Sequence, residues 1–214
     1  MPSLLDRLIA AVGLVTLSPL IGSLAIAVRA TSRGPAFHRA RRVGPKGEFT
    51  LHKLRTMHAG ASEAGPGVTA AGDARVTPLG RFLRRSKLDE LPQLWDVVRG
   101  EMALVGPRPE DPRYVDLGDP LQRTVFAALP GITGPTALVY RDEERILAAA
   151  AVDVARTHGR ETATETDVDD AYRRVVLPAK LAMDAEYLRT RSTRGDLAIL
   201  GRTIGQVLRR TARR

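Results

Sequence analysis

The sequence contains no cysteine and few aromatic residues. Without cysteine, disulfides, thiolate nucleophiles and cysteine-ligated zinc are excluded, and a cytosolic location fits. Aromatic side chains make up 4% of the chain, so stacking platforms for nucleic-acid bases are scarce. Histidine is also rare, and its four positions have no spacing typical of a metal site: His38, His52, His58 and His158. Because no Gly-rich phosphate fingerprint follows a strand pattern, a doubly wound nucleotide-binding fold is not expected.

Basic residues dominate the charge of the chain. There are 33 Lys and Arg against 24 Asp and Glu, which gives a net charge of +9. This balance favours an anionic partner, which can be a nucleic acid, a phospholipid surface or a nucleotide substrate. At 214 residues the chain can bury a substantial core within one domain.

Residues 8–28 form a long uncharged run that is rich in Leu, Ile, Val and Ala. As a straight helix it would be about 30 Å long, close to the thickness of a hydrocarbon core. A spanning helix, a signal peptide and a helix that enters and turns back all fit, although the run is long for a signal peptide despite the cleavage-like triplet at 25–27. Pro19 removes a helical hydrogen bond in the middle of the run, which predicts a kink. Arginines that mark the cytoplasmic side follow it: Arg29, Arg33, Arg39, Arg41 and Arg42.

An acidic pair, Asp89 and Glu90, stands between arginine clusters in residues 75–110. Asp can attack phosphorus to give an acyl phosphate, and a neighbouring Glu can hold a divalent cation. Arginines can clamp phosphate charge through bidentate, charge-assisted hydrogen bonds. The segment therefore indicates a phosphate-handling site.

The local structure of this pair has a simpler interpretation as well. If residues 89–100 are helical, Pro92 places the helix start nearby, and a predicted buried stripe comprises Leu91, Leu94, Trp95 and Val98. Asp89 can then be only an N-cap and Glu90 a first-turn acid favoured by the helix dipole. Both interpretations stay open at this level.

Residues 37–57 alternate weakly around a turn signal at 44–48, which predicts a small β-hairpin. Lys53 and Arg55 share one face of its second strand, as phosphate contacts or as ordinary exposed charges. Residues 59–73 are rich in Gly, Ala and Ser and predict a mobile loop. The last segment, 195–214, predicts an amphipathic basic helix suited to a bilayer interface or to packing on the core, with an apolar face of Leu197, Leu200, Ile204, Val207 and Leu208.

Four segments in order resemble the bacterial sugar transferase family, the small monotopic polyprenyl-phosphate phosphoglycosyl transferases. They are KLRTM at 53–57, LDELPQLWDVVRGEMALVGPRPE at 88–110, PGITG at 130–134 and LAMDAEYL at 181–188. The similarity runs over nearly the whole chain. It implies a re-entrant N-terminal helix with both ends on the cytoplasmic side, and a minimal form without the additional segments that longer relatives carry in front.

The resemblance also implies residue roles. Asp89 would be the nucleophile and Glu90 the ligand of Mg²⁺, while Asp184 would be a further site carboxylate, or else an i,i+4 partner of Lys180. Arg81 and Arg84 are expected to face lipid or water. Substrate phosphates and nucleotide would be contacted by Lys53, Arg55, Arg85, Arg108 and Arg141, and the two prolines flanking Arg108 would hold it rigidly.

The expected architecture is α+β: a mostly helical catalytic domain at 31–214 with a small β-hairpin, carried on a kinked, re-entrant membrane helix at 1–30. The expected reaction transfers a sugar-1-phosphate from a nucleotide sugar, with UDP as the expected nucleotide, to polyprenyl phosphate at the cytoplasmic face of a bacterial inner membrane. This would initiate the synthesis of a surface glycan or exopolysaccharide. Inner-membrane lipid is expected as a partner, and nucleic acid is not. The alternative is a membrane-tethered basic protein that binds nucleic acid or anionic lipid without catalysis.

Overall fold

The computed structural model describes residues 2–61 and 65–212, with side chains described as far as residue 206. The described chain is α+β and mostly helical, as expected. The strands are β1 (Phe37–Gly44), β2 (Gly47–Leu54), β3 (Ala103–Val105) and β4 (Gly131–Thr133). The helices are α1 (Leu4–Thr31), α2 (Pro78–Ser86), α3 (Gln93–Arg99), α4 (Pro120–Phe126), α5 (Pro135–Val139), α6 (Glu143–Thr157), α7 (Glu165–Ala171), α8 (Leu177–Thr190) and α9 (Thr193–Ala212). A π-helical turn, Tyr172–Val176, joins α7 to α8.

Helix α1 is uninterrupted along its whole length. Ser3 caps it through a reciprocal pair of hydrogen bonds with Asp6. Pro19 has no amide hydrogen to give to the Val15 carbonyl four residues earlier, and the Ser18 hydroxyl donates to that carbonyl at 2.8 Å instead. This local repair explains why the helix continues through the proline. The expected kink and the re-entrant path in a bilayer stay predictions.

Both ends of α1 pack on the rest of the chain. Ala10 is fully buried in a cluster with Val97 and Met102, and Val28 is buried against Leu54 and Leu83. These two contacts lie about 27 Å apart along the helix axis at 1.5 Å per residue. Among the described residues this is the helix long and apolar enough to cross a membrane, with a mean hydropathy of 2.1 over an 18-residue window of which 11% is buried. The helix therefore lies along the domain and exposes an apolar outer face.

Strands β1 and β2 form the predicted hairpin. They pair antiparallel from Phe37 with Leu54 to Gly44 with Gly47, so the turn has two residues and lies within the predicted turn signal at 44–48. Strands β3 and β4 form a small parallel pair that was not expected. A side chain at Gly131 would overlap the backbone of Gly106, so this glycine permits the close approach of the two segments.

The main core lies between α4, α6, α7, the π-helical turn and α8. Its buried members include Val125, Phe126, Leu147, Ala151, Tyr172, Val176 and Leu181. This core supports one side of the cavity described below, and the hairpin forms another.

The predicted buried stripe of α3 is confirmed only in part, since Leu94 and Val98 pack against the core cluster that contains Ala10 and Val97. The buried side chains are Gln93, Asp96 and Val97, whereas Trp95 is 47% exposed. Leu91, Leu94 and Val98 are only half-buried. The reason is tertiary: α1 covers part of the apolar face, and the opposite face turns polar groups inward toward the hairpin.

Helix α9 confirms the expected C-terminal helix. Leu200 packs on the core cluster around Val97, whereas Leu197 and Ile204 are exposed. The side chains of Val207 and Leu208, which belong to the expected apolar face, lie outside the described residues.

Candidate active site

A cleft of about 1440 Å³ opens between the hairpin, the loop after it, α2, the segment around Arg108 and the start of α6. Its lining contains more than twice as many Lys and Arg as Asp and Glu residues. Such a surface attracts polyanions, and a site this large can hold an extended ligand.

The acidic pair lies in the wall of this cleft, in a short turn between two helices. Lys87 ends α2 in the left-handed conformation with φ 60°, and Leu88–Glu90 forms a 3₁₀ turn before Pro92 opens α3. The N-cap position of α3 is Pro92, and no side chain caps it. The interpretation of Asp89 as a helix cap is therefore wrong.

Asp89 is 6% exposed, and its Oδ1 atom is buried without a hydrogen-bond partner among the described residues. Burial and the neighbouring charge of Glu90 raise the pKa of the Asp89 carboxyl, while Lys53 and Lys87 oppose that rise. Buried polar atoms are rarely left unpaired, and such atoms concentrate where a ligand or a reaction uses them. Asp89 is thus the strongest candidate for chemistry in the cleft.

Glu90 is held by two cations. Its Oε1 atom lies 3.4 Å from Lys53 Nζ and 3.2 Å from Arg108 Nη2. Burial alone would raise the pKa of Glu90, but these two cations hold it well below its usual range, so the side chain is ionised. Burial lowers the pKa of Lys53 to about 8, although Glu90 opposes this. Sequence reasoning placed these three residues in one site, and the structure brings them together.

Asp184 holds the backbone of Arg108 in place. The Arg108 backbone N–H donates to Asp184 Oδ2 at 3.3 Å, and the Thr136 hydroxyl donates to Asp184 Oδ1 at 3.0 Å. Asp184 is 3% exposed and stands behind the cleft wall, and burial raises its pKa to about 6. The alternative pairing of Asp184 with Lys180 does not occur, because Lys180 binds Glu110 and Glu143 instead.

The other expected substrate contacts have mixed positions. Arg55 lies at the cleft wall, but its guanidinium donates to the backbone carbonyls of Ser32 and Arg33 at the end of α1. Arg85 is exposed at the cleft edge and donates to the Arg81 carbonyl at 3.2 Å. Arg141 also lines the cleft, where its Nη1 donates to Gln206 of α9 at 2.9 Å. Arg55 therefore anchors the end of α1 in this structure.

Arg84 was expected to face lipid or water, and this expectation is wrong. It lines the cleft, where its Nε donates to the Thr56 hydroxyl at 2.8 Å and its Nη1 to Glu144 at 2.7 Å. No local pattern separates Arg84 from the neighbouring arginines, because its position depends on which face of α2 turns inward.

A second feature that the sequence prediction missed is a contact between His52 and Asp96. It joins β2, which carries Lys53, to α3, which follows the acidic pair. The Asp96 carboxylate is 0% exposed, lies 2.6 Å from His52 Nδ1 and accepts the His52 backbone N–H at 2.9 Å. This contact fixes the distance between Lys53 and the segment that carries Asp89 and Glu90. An aspartate within an apolar helix was the available sequence signal.

The loop after the hairpin, residues 59–73, is held by hydrogen bonds at its described ends, and its expected mobility stays a prediction. The Arg75 guanidinium donates to the carbonyls of Ala61, Pro66 and Val68 and pairs with Asp73. The backbone N–H of Gly67 donates to the Tyr114 hydroxyl at 3.1 Å. The described part of the loop is thus a built wall of the cleft.

A cluster of three or more metal-ligating side chains is not found in the part of the chain that the structure describes. Mg²⁺ does not need one, because it commonly binds through one or two carboxylates together with substrate phosphates and water. The unpartnered Asp89 Oδ1 lies next in sequence to Glu90, whose two cationic contacts share the single oxygen Oε1. These donors fit such a site.

Known proteins resemble this chain over nearly its whole length. The family model described as bacterial sugar transferase matches residues 1–210. A UDP-glucose:undecaprenyl-phosphate glucose-1-phosphate transferase of Caulobacter vibrioides is 37% identical over 210 residues, which cover 95% of this chain and 68% of that protein.

Two further relatives match shorter segments. A putative undecaprenyl-phosphate N-acetylgalactosaminyl 1-phosphate transferase of Bacillus subtilis is 40% identical over 52% of this chain and 63% of its own length. A UDP-N-acetylgalactosamine-undecaprenyl-phosphate N-acetylgalactosaminephosphotransferase of Aeromonas hydrophila is 36% identical over 64% of this chain and 33% of its own length. The chain thus spans less than two thirds of these two relatives.

Proposed function

Because the chain belongs to the bacterial sugar transferase family, we propose that it transfers a sugar-1-phosphate from a UDP-sugar to a polyprenyl phosphate and releases UMP. The names of the relatives support the donor and acceptor classes, since they specify UDP-sugars and undecaprenyl phosphate. The observation that carries the proposal is the buried, unpartnered Asp89 Oδ1 in a strongly basic cleft. A phosphoryl-transfer nucleophile needs an oxygen that no hydrogen bond occupies, and nearby cations stabilise the charge that develops on the phosphate.

In the first step, an Asp89 oxygen attacks the phosphorus that carries the sugar. The bond between the two phosphates of the donor breaks, UMP leaves, and the sugar-1-phosphate stays on Asp89 as an acyl phosphate. Lys53 and Arg108 supply positive charge on the Glu90 side of the attacking carboxylate, where they stabilise the charge that develops on the phosphate oxygens. Arg84 lines the same cleft and adds to this field.

In the second step, a phosphate oxygen of the polyprenyl phosphate attacks the same phosphorus. The bond to Asp89 breaks, the carboxylate is regenerated, and the product is a polyprenyl diphosphate sugar. Such a product would initiate the assembly of a lipid-linked surface glycan or exopolysaccharide.

Glu90 would hold Mg²⁺ together with substrate phosphates, and the ion would neutralise and orient those phosphates. The cations around Glu90 then have a second effect, because they keep its carboxylate ionised and available as a ligand at neutral pH.

The position of α1 supports action at a membrane surface. The apolar outer face of α1 is long enough to enter a hydrocarbon core, and both ends of the helix contact the same domain. A helix perpendicular to the bilayer would carry one of these ends to the far side. We therefore infer a helix inserted from one face of the bacterial inner membrane, with the cleft on the cytoplasmic side among the arginines that follow α1.

The test is UMP release from a panel of UDP-sugars by detergent-solubilised protein with Mg²⁺ and undecaprenyl phosphate. Asp89→Asn is the decisive variant, and Asp111→Asn is a matched control, because Asp111 lines the same cleft but is paired with Arg42 and Arg113. We expect release that requires the lipid, Mg²⁺ and Asp89. Release that survives Asp89→Asn would disprove the covalent step. Salt-sensitive binding of nucleic acid or anionic vesicles without UMP release from any donor would favour the basic binding protein.

A further inference from the structure

A second group of buried charges lies behind Arg108, centred on Lys180 of α8. Lys180 is 4% exposed, and its Nζ lies 2.9 Å from Glu143 Oε1, 3.3 Å from Glu110 Oε2 and 2.7 Å from the Tyr172 hydroxyl. An ammonium group has three hydrogens, so these three partners use all of its donors. Lys180 therefore has no donor left for a substrate, although its side chain reaches the wall of the cleft.

Glu143 is the member of this group that faces Arg108. One of its oxygens, Oε1, binds Lys180 at 2.9 Å, and the other, Oε2, lies 4.0 Å from Arg108 Nε. Arg108 is closer to Glu90, at 3.2 Å from its Nη2. Burial would raise the pKa of Glu143, but Lys180 and then Arg108 lower it, so the carboxylate is ionised.

Two carboxylates thus compete for one guanidinium, Glu90 at Nη2 and Glu143 at Nε. Coulombic attraction grows as the distance shrinks, and it is stronger in a buried site than in water. Lys180 satisfies Glu143 from behind, and Arg108 is then free to contact Glu90. If Lys180 lost its charge, Arg108 would be the next cation that acts on this buried carboxylate.

We propose that Lys180 is a positioning residue that holds Glu143 away from Arg108, so that the guanidinium stays on the Asp89 and Glu90 side of the cleft. There it meets the diphosphate of the donor. This inference rests on the proposed function, since it assigns Arg108 to the donor phosphates.

Glu110 offers a matched comparison for Glu143. It is the other carboxylate bound to Lys180, and it also accepts from the Tyr172 hydroxyl at 2.5 Å. Within the described side chains it makes no ion pair with Arg108, whereas Glu143 does. When Lys180 is absent, removing either carboxylate changes the buried charge equally. Only the removal of Glu143 takes away the carboxylate that would draw Arg108 from Glu90.

The experiment compares Lys180→Met with the double variants Lys180→Met/Glu143→Gln and Lys180→Met/Glu110→Gln. We expect Lys180→Met to lower kcat/KM for the UDP-sugar by about 10- to 100-fold, mainly through KM, because a misplaced binding group costs on that order. The Glu143→Gln change should recover at least about tenfold of this loss, and the Glu110→Gln change should not. Calorimetric binding of UDP should follow the same order. All variants are measured well below their own unfolding temperatures.

Equal recovery in both double variants would mean that only buried charge matters, and it would overturn the proposal. Recovery in neither, or a Lys180→Met protein with the wild-type KM, would overturn it as well. If Lys180→Met does not fold, Glu143→Gln alone decides: it should bind UDP at least as tightly as the wild type, because Arg108 keeps its place beside Glu90, and weaker binding would contradict the proposal. The UDP-binding series needs no turnover, so a wild type that releases no UMP would refute the proposed function without hiding the outcome for Lys180.

Discussion

Lys53 should set the upper pH limit of the reaction. Its ammonium group lies 3.4 Å from Glu90 and lines the cleft, and burial lowers its pKa to about 8 from an ordinary value of 10.5. If the cationic form is needed to stabilise phosphate charge, activity must fall as this group loses its proton. Lys53→Arg keeps the charge at every accessible pH, because a guanidinium does not titrate in this range.

The size of the effect follows from the pKa. With a value of about 8, roughly nine tenths of the Lys53 side chains are charged at pH 7 and roughly one tenth at pH 9. The expected loss in kcat/KM between these values is therefore about tenfold. Unfolding through this group does not explain such a loss. A base whose pKa is lowered by folding destabilises the protein least at high pH, so the contribution of Lys53 to stability rises between pH 8 and 10.5.

The assay is UMP release from one UDP-sugar between pH 6.5 and about 9.5, with thermal unfolding recorded at each pH. Wild type should lose activity through pH 8 while it stays folded, and Lys53→Arg should show a lower but flat profile. A Lys53→Arg profile that falls exactly as the wild type does would assign the titration to another group. A wild type without any decline in this range would refute the reasoning about Lys53.

Three further predictions concern Asp89, Asp184 and Arg55. Asp89→Asn should lower turnover by on the order of 10⁴-fold or more while UDP still binds, and intact-protein mass spectrometry without acceptor lipid should show the phosphosugar adduct in the wild type alone. Asp184→Asn should flatten the dependence of the unfolding temperature on pH between about 4 and 6. The folded state raises the pKa of Asp184 to about 6, so its contribution to stability is present below its ordinary value of 3.8 and is lost as the pH rises through 6. Arg55→Ala should destabilise the protein by about 2 kcal/mol, because it leaves the carbonyls of Ser32 and Arg33 without their donor; denaturant unfolding in detergent checks this, and a change in kcat with unaltered stability would contradict it.

Much of the fold could be read locally. The two-residue turn of the hairpin, the start of α3 at Pro92 and the apolar run of α1 depend on the chemistry of a few neighbouring residues. Ser18 and Pro19 show the limit of this approach, because the sequence predicts a lost hydrogen bond there and the structure shows which hydroxyl replaces it. The predicted stripe of α3 was only partly right for a related reason, since periodicity finds a face but does not say what covers it.

The residue types of the candidate site were visible in the sequence, but their partners were not. Lys53 and Glu90 are 37 positions apart, and Arg108 and Asp184 are 76 apart. Such contacts depend on how separate elements pack, so Arg55 turned out to hold the end of α1 although it shares a motif with Lys53.

The sequence by itself determined an acidic pair among arginines, a rigid Arg108 between two prolines, an apolar helix and the family to which these belong. These features are set by residue identity and short spacing, which the chain carries in any conformation. The tertiary structure alone decided that Asp89 Oδ1 is buried without a partner, that Arg108 stands between Glu90 and Glu143, and that Lys180 satisfies the second of these carboxylates. Burial and the distance between charges set ionisation and attraction, and both quantities exist only once the elements have packed.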